Sequence, residues 1–167
     1  MDDFDLFLSI AEIAGVFVGF GALIRLLGDR KAVARVALNT VVTIGLVVLV
    51  AALVPVALSH YGLAGRALWS WSSGAFLLIS WAAILTPLRD PETRTAIKED
   101  AKNSPVVSGV FWVLLEVPIQ APLVLAVFGI APSLDRAFYV TSLVLNLFQA
   151  VFLLARLVYA RNLGSAS

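Results

Sequence analysis

The residues of this chain best equipped for chemistry are two carboxylates, Glu116 and Glu12, each set inside a long apolar stretch. An ionisable group near a bilayer centre costs about 2.5–3.5 kcal/mol even on the lenient insertion scale, so a chain that keeps one pairs it or uses it. Glu116 belongs to a series, Ser108, Trp112, Glu116 and Gln120, that recurs every fourth residue. On a helix that spacing makes a slowly drifting stripe down one side. Pro118 and Pro122 follow closely. Each removes a backbone donor and crowds the carbonyl one turn back, which predicts a kinked or partly opened helix. Carbonyls freed near Leu114 and Pro118 could hold a cation or water beside the carboxylate, as broken helices in transporters do. The plainer alternative is a kink that serves packing alone.

A second polar set, Ser142, Asn146, Gln149 and Arg156, occupies one heptad face further along the chain. Such a seam should not face lipid, and interhelical hydrogen bonds worth about 0.6 kcal/mol per pair would be reason enough for it. Counted along helices that run in opposite directions, Glu116 and Asn146 both sit ~14–15 Å deep, near the midplane. Gln120, Ser142 and Glu12 share the outer half, while Gln149 and Arg156 continue inward. If these faces converge, they form a polar track, which Ser72, Ser73 and Ser80 could join. Glu116 would then be a neutral acid donating a hydrogen bond to Asn146, or a carrier of a proton or cation. Ala11, Gly15 and Gly19 form a small-residue ladder beside Glu12 and predict close helix packing, within one chain or between copies.

The elements that must position these groups are helices. The chain is 60% hydrophobic and 14% charged over 167 residues, whereas a soluble domain has about 45–50% apolar and about 25% charged residues. The apolar residues come in runs rather than in a one-sided stripe, as in helices surrounded by lipid. The runs are Leu6–Leu27, Val36–Leu58, Leu68–Thr86, Val106–Ile130 and Ala137–Tyr159, each near the ~20 residues that cross a hydrocarbon core. A membrane β-barrel would instead show short alternating segments of about ten residues. The expected fold is therefore an all-α integral membrane protein, a bundle of five transmembrane helices forming one domain over 1–163. Residues 164–167 are read as a disordered tail or an expression scar. Asp90-Pro91-Glu92 has the chemistry of a helix start, and predicts a short cytoplasmic helix at about 91–102.

Charge sets the orientation. Arg25, Arg30, Lys31, Arg35, Arg89, Arg94, Lys98, Lys102, Arg156 and Arg161 fall on one side of the five spans, and of the twelve basic residues only Arg66 and Arg136 fall on the other. Lys/Arg bias marks the cytoplasmic side, so the N-terminus is read as outside and the C-terminus as cytoplasmic. The acidic start Met1-Asp2-Asp3-Phe4-Asp5 lacks a basic n-region, which predicts an uncleaved first span. Phe4, Phe7, Tyr61, Trp69, Trp71, Phe138 and Tyr139 gather at the outer boundary as an expected aromatic belt.

No cysteine and a single histidine, His60, leave no set of ligands for a transition metal or a paired-histidine haem. No catalytic triad, phosphate-cradling loop or nucleic-acid-binding basic module is seen, so neither an enzyme, a cofactor nor a nucleic-acid partner is expected. The expected function is movement of a proton or small cation through a homo-oligomeric protein of the bacterial inner membrane. In that channel-like reading Glu116 is the midplane group, Glu12 an outer acidic gate, and Asn146, Gln149 and Gln120 the hydrogen-bonding wall. Two alternatives remain open. One is a non-conducting structural or regulatory subunit that binds partner helices or a cytoplasmic protein. The other is a lipid- or quinone-binding protein using a cleft opened by Pro118 and Pro122.

Overall fold

A computed structural model of the chain describes residues 3–26, 32–103 and 105–164. It is 93% helix, with no strand among the described residues. The helices are α1 (Asp3–Leu26), α2 (Ala32–His60), α3 (Gly65–Leu85), α4 (Pro91–Asn103), α5 (Pro105–Gly109), α6 (Val117–Phe128) and α7 (Asp135–Gly164). A π-helical stretch, Val110–Glu116, joins α5 to α6 without a break in the helical backbone.

Four helical segments are long and apolar enough to cross a membrane: Phe4–Ile24, Leu38–His60, Gly65–Arg89 and Pro132–Ala155. The chain therefore has the make-up of a membrane protein. The run read from sequence as the span Val106–Ile130 is helical from 106 to 128, but its apolar helix is the shorter segment Val113–Phe128.

Helix ends follow local chemistry. Asp90 caps α4, its Oδ2 accepting hydrogen bonds from the Thr93 backbone N–H at 3.0 Å and from the Thr93 hydroxyl at 2.6 Å. α2 and α6 both stop at a glycine in the left-handed region, Gly62 (φ 84°) and Gly129 (φ 64°). At each, the two backbone bonds of a Schellman cap close the last turn: Gly62 N–H to Ser59 and Leu63 N–H to Leu58, then Gly129 N–H to Ala126 and Ile130 N–H to Leu125. His60 sits on the last turn of α2, with Nδ1 donating to the Val56 carbonyl at 2.8 Å.

α2 is central. It packs along α1, α7 and α3, while α6 lies against α7 and α3. The α1–α2 approach is tightest at Gly45 and Gly21, where an added Cβ would lie 2.8 Å from Val18 Cγ2 and 2.7 Å from Val42 Cγ2 respectively. The small-residue ladder read from the sequence is only partly at this contact. Ala11 is buried and Gly15 meets Leu49 at ordinary distance, but Gly19 faces open space within the chain.

The aromatic belt also divides. Trp71 and Tyr61 point outward, whereas Phe7 and Tyr139 are fully buried. Phe7, Trp69, Phe76 and Tyr139 form one cluster with ring centroids 5.7–6.1 Å apart, binding α1, α3 and α7 together. Position along an apolar run says how near its end a ring stands but not which way it faces, and these rings lie on inward faces. Tyr139 also resolves a backbone problem. Pro55, buried inside α2, has no N–H to offer the Ala51 carbonyl one turn back, and the Tyr139 hydroxyl donates to that carbonyl at 2.6 Å.

Candidate functional site

Three residues of the two polar series meet. Glu116 closes the π-helical stretch, and Gln120 lies one turn further along the same helical run. The Gln120 amide donates to Glu116 Oε1 at 2.7 Å, and the amide of Gln149 on α7 donates to Glu116 Oε2 at 2.9 Å. Both carboxylate oxygens are thus held by neutral donors on two helices. Among the described residues no lysine, arginine or histidine is a hydrogen-bond partner of Glu116.

The backbone explains the presentation. Pro118 cannot supply the N–H that an α-turn would bring to Leu114, and the turns just before it widen into π geometry. A π stretch adds a residue per turn and rotates the side chains that follow it, so the face carrying Glu116 and Gln120 is set by this local change of pitch. The prolines themselves stay within helix; Pro122 lies inside α6. The opening expected near Leu114 and Pro118 thus takes the form of a widened helix, not a break.

The seam of α7 is sealed against α6. Ser142, Asn146 and Gln149 are all buried, with Asn146 at 5% and Gln149 at 2% exposure. The Ser142 hydroxyl donates to the Ile119 carbonyl at 2.8 Å. Asn146 does not bond Glu116; its Oδ1 is buried without a hydrogen-bond partner, as are Gln120 Oε1 and the hydroxyls of Ser72, Ser73 and Ser80. These three serines are buried on α3. Glu12 is not part of the assembly. It is exposed on α1, which packs on α2 and has no substantial contact with α6. The side chains of Ser108, Trp112, Arg25 and Arg156 lie outside the described residues.

A groove of about 510 Å³ opens between α3 and α6 directly over the carboxylate. Trp81 and Ile84 form one wall, Val117 and Ala121 line the other, and Glu116 and Gln120 are its polar groups. Beyond the groove α3 is tied to the end of α6: Ser70 donates to the Ala126 carbonyl at 3.1 Å and Arg66 to the Phe128 carbonyl at 3.3 Å. The Arg66 guanidinium occupies the space a side chain at Gly129 would need.

The sequence reading missed Asp135, which is fully buried at the start of α7 with neither carboxylate oxygen hydrogen-bonded. Its position in the first turn, where the helix dipole favours an anion, was its only signal. Trp81 is half exposed on the groove wall. Among the described residues no three of His, Cys, Asp and Glu come together as a metal site would need. What the arrangement can do chemically is hold one negative charge, or one exchangeable proton, at a fixed point within apolar surroundings. Comparison with protein-family models, with curated proteins and with solved structures gives no match to this chain.

Proposed function

We propose that this is a five-span protein of the bacterial inner membrane, N-terminus outside and C-terminus cytoplasmic, that moves a proton or small cation by way of Glu116. The observation that carries the reading is the Glu116 centre itself. A carboxylate, with no cationic partner among the described residues, is oriented by Gln120 and Gln149 beside a groove. Glu116 lies midway along the helical run 105–128, ~17 Å from either end at the α-helical rise. That length supports counting the run as the fifth span. Carboxylates at such depth mark ion and proton paths.

A homo-oligomer fits the exposed face of α1. Glu12, Val16 and Leu23 project from it, and Gly19 is open. A carboxylate facing bare hydrocarbon is costly, whereas a second copy would cover it. Membrane lipids would surround the rest, and the basic residues around α4 would face the cytoplasm.

The second reading is a non-conducting structural or regulatory subunit, with a membrane or cytoplasmic protein as partner. It is favoured by the sealed α6–α7 seam and by the two amides that already satisfy Glu116. Proton and potassium flux into liposomes holding the purified protein separates the two. Conduction predicts flux above empty liposomes that Glu116→Gln changes in rate while the protein stays folded. Equal, background flux for both proteins would leave the structural reading standing.

A further inference from the structure

We infer that the groove between α3 and α6 is a binding site for a lipophilic organic cation that reaches it laterally from the membrane. The inference rests on Glu116 being the working group of the site, and adds what that group would recognise.

Three observations point the same way. The walls are apolar, and Val117, Ala121 and Val124 are exposed along them, so an occupant must itself be greasy. Among the described residues, Glu116 has its hydrogen-bonding demand met by two neutral amides while its charge is met by no cationic partner. The missing element is therefore positive charge rather than a hydrogen-bond donor, and a bulky cation whose charge is spread over carbon-bearing groups supplies that. A small hydrated ion would have to leave its water to enter from hydrocarbon, at far greater cost. Finally, Trp81 stands on the opposite wall from the carboxylate with about half its surface free. Indole is the best of the aromatic faces for a cation, and its attraction grows when water is excluded. Carboxylate on one wall and indole on the other make a cleft selective for charge sign. Gln120 Oε1, buried without a partner, adds a further negative dipole at the same place.

The probe is radiolabelled tetraphenylphosphonium, with neutral triphenylphosphine oxide as the competitor of like shape. Binding is measured on the full chain in detergent, alongside helicity and size-exclusion profile. Wild type is expected to bind the cation saturably, and the neutral oxide to displace it at least tenfold less well than unlabelled cation. Glu116→Gln should weaken binding at least tenfold. Ala121→Trp keeps the charge but fills the groove at an exposed position, and should abolish binding; it decides the matter if Glu116→Gln fails to fold. Absence of saturable binding to wild type would overturn the inference. So would equal displacement by the neutral oxide, or unchanged binding by folded Glu116→Gln or Ala121→Trp. Proton flux that depends on Glu116, with no phosphonium binding, would sink this inference and spare the proposed function. Sign-selective binding without flux would do the reverse.

Discussion

Proline is inserted into two of the helical runs, and the two sites end in opposite states. At Pro55 in α2 the orphaned Ala51 carbonyl is taken up by the Tyr139 hydroxyl, and four aromatic rings close over the region. Nothing polar in that contact is left to react. Around Pro118 the helix widens instead, and the side chains it presents are a carboxylate and an amide, with a groove beside them. The same backbone defect is thus answered once by packing and once by exposing a charge. The first solution stabilises; the second leaves a group whose state can change.

Substitutions can break or sharpen that contrast. The largest effect belongs to the packed site. Phe76→Ala should destabilise the protein by about 3–5 kcal/mol through the cavity left among the rings, read as a lowered unfolding midpoint in detergent. A loss below about 1 kcal/mol would mean that the cluster does not bear on stability. Next, Tyr139→Phe keeps the ring but strands the Ala51 carbonyl, and should cost about 1–2 kcal/mol. Combining it with Pro55→Ala, which restores the backbone donor, should recover most of that loss; a purely additive double mutant would show that the hydroxyl is not answering the proline.

Glu116→Gln should behave differently. The side chain keeps its size, so the unfolding midpoint should shift by less than the equivalent of about 1 kcal/mol, while any proton flux changes. If the midpoint instead drops as far as in Phe76→Ala, the carboxylate is a structural member of the seam and the contrast fails. The smallest effect is expected for Ser142→Ala. It removes one hydrogen bond to a carbonyl of α6, worth about 0.6 kcal/mol, and a much larger loss in thermal unfolding would show the seam to be a main support of the α6–α7 contact.

Much of this architecture is legible in the residues because hydropathy and helix-end chemistry are local. Four of the five apolar runs coincide with long helices, Asp90 stands where α4 begins, and Gly129 ends α6 in the conformation glycine favours. The candidate site is legible in a coarser way. Helical spacing places Glu116 and Gln120 on one side of their helix, and depth places α7 polar residues near their level. That Gln149 rather than Asn146 reaches the carboxylate depends on the rotation of α7 against α6 and on the altered pitch of the π stretch. Neither is encoded in spacing alone. Glu12 shows the same limit: its composition context equals that of Glu116, yet it stands on the outer face of α1.

By itself the amino-acid sequence determined that this protein is all-helical, that several of its helices suit a membrane, and how far along its helix each polar group lies. Transfer of side chains from water and the 3.6-residue turn act within a single segment, so they need no knowledge of neighbours. The tertiary structure alone decided which polar faces meet, that Phe7 and Tyr139 turn inward, that Gly45 and Gly21 make the close approach where Gly19 does not, and that a groove opens over Glu116. Those outcomes depend on how the faces of separate helices are rotated and packed against one another, a choice made by shape and hydrogen bonding between segments distant in the chain.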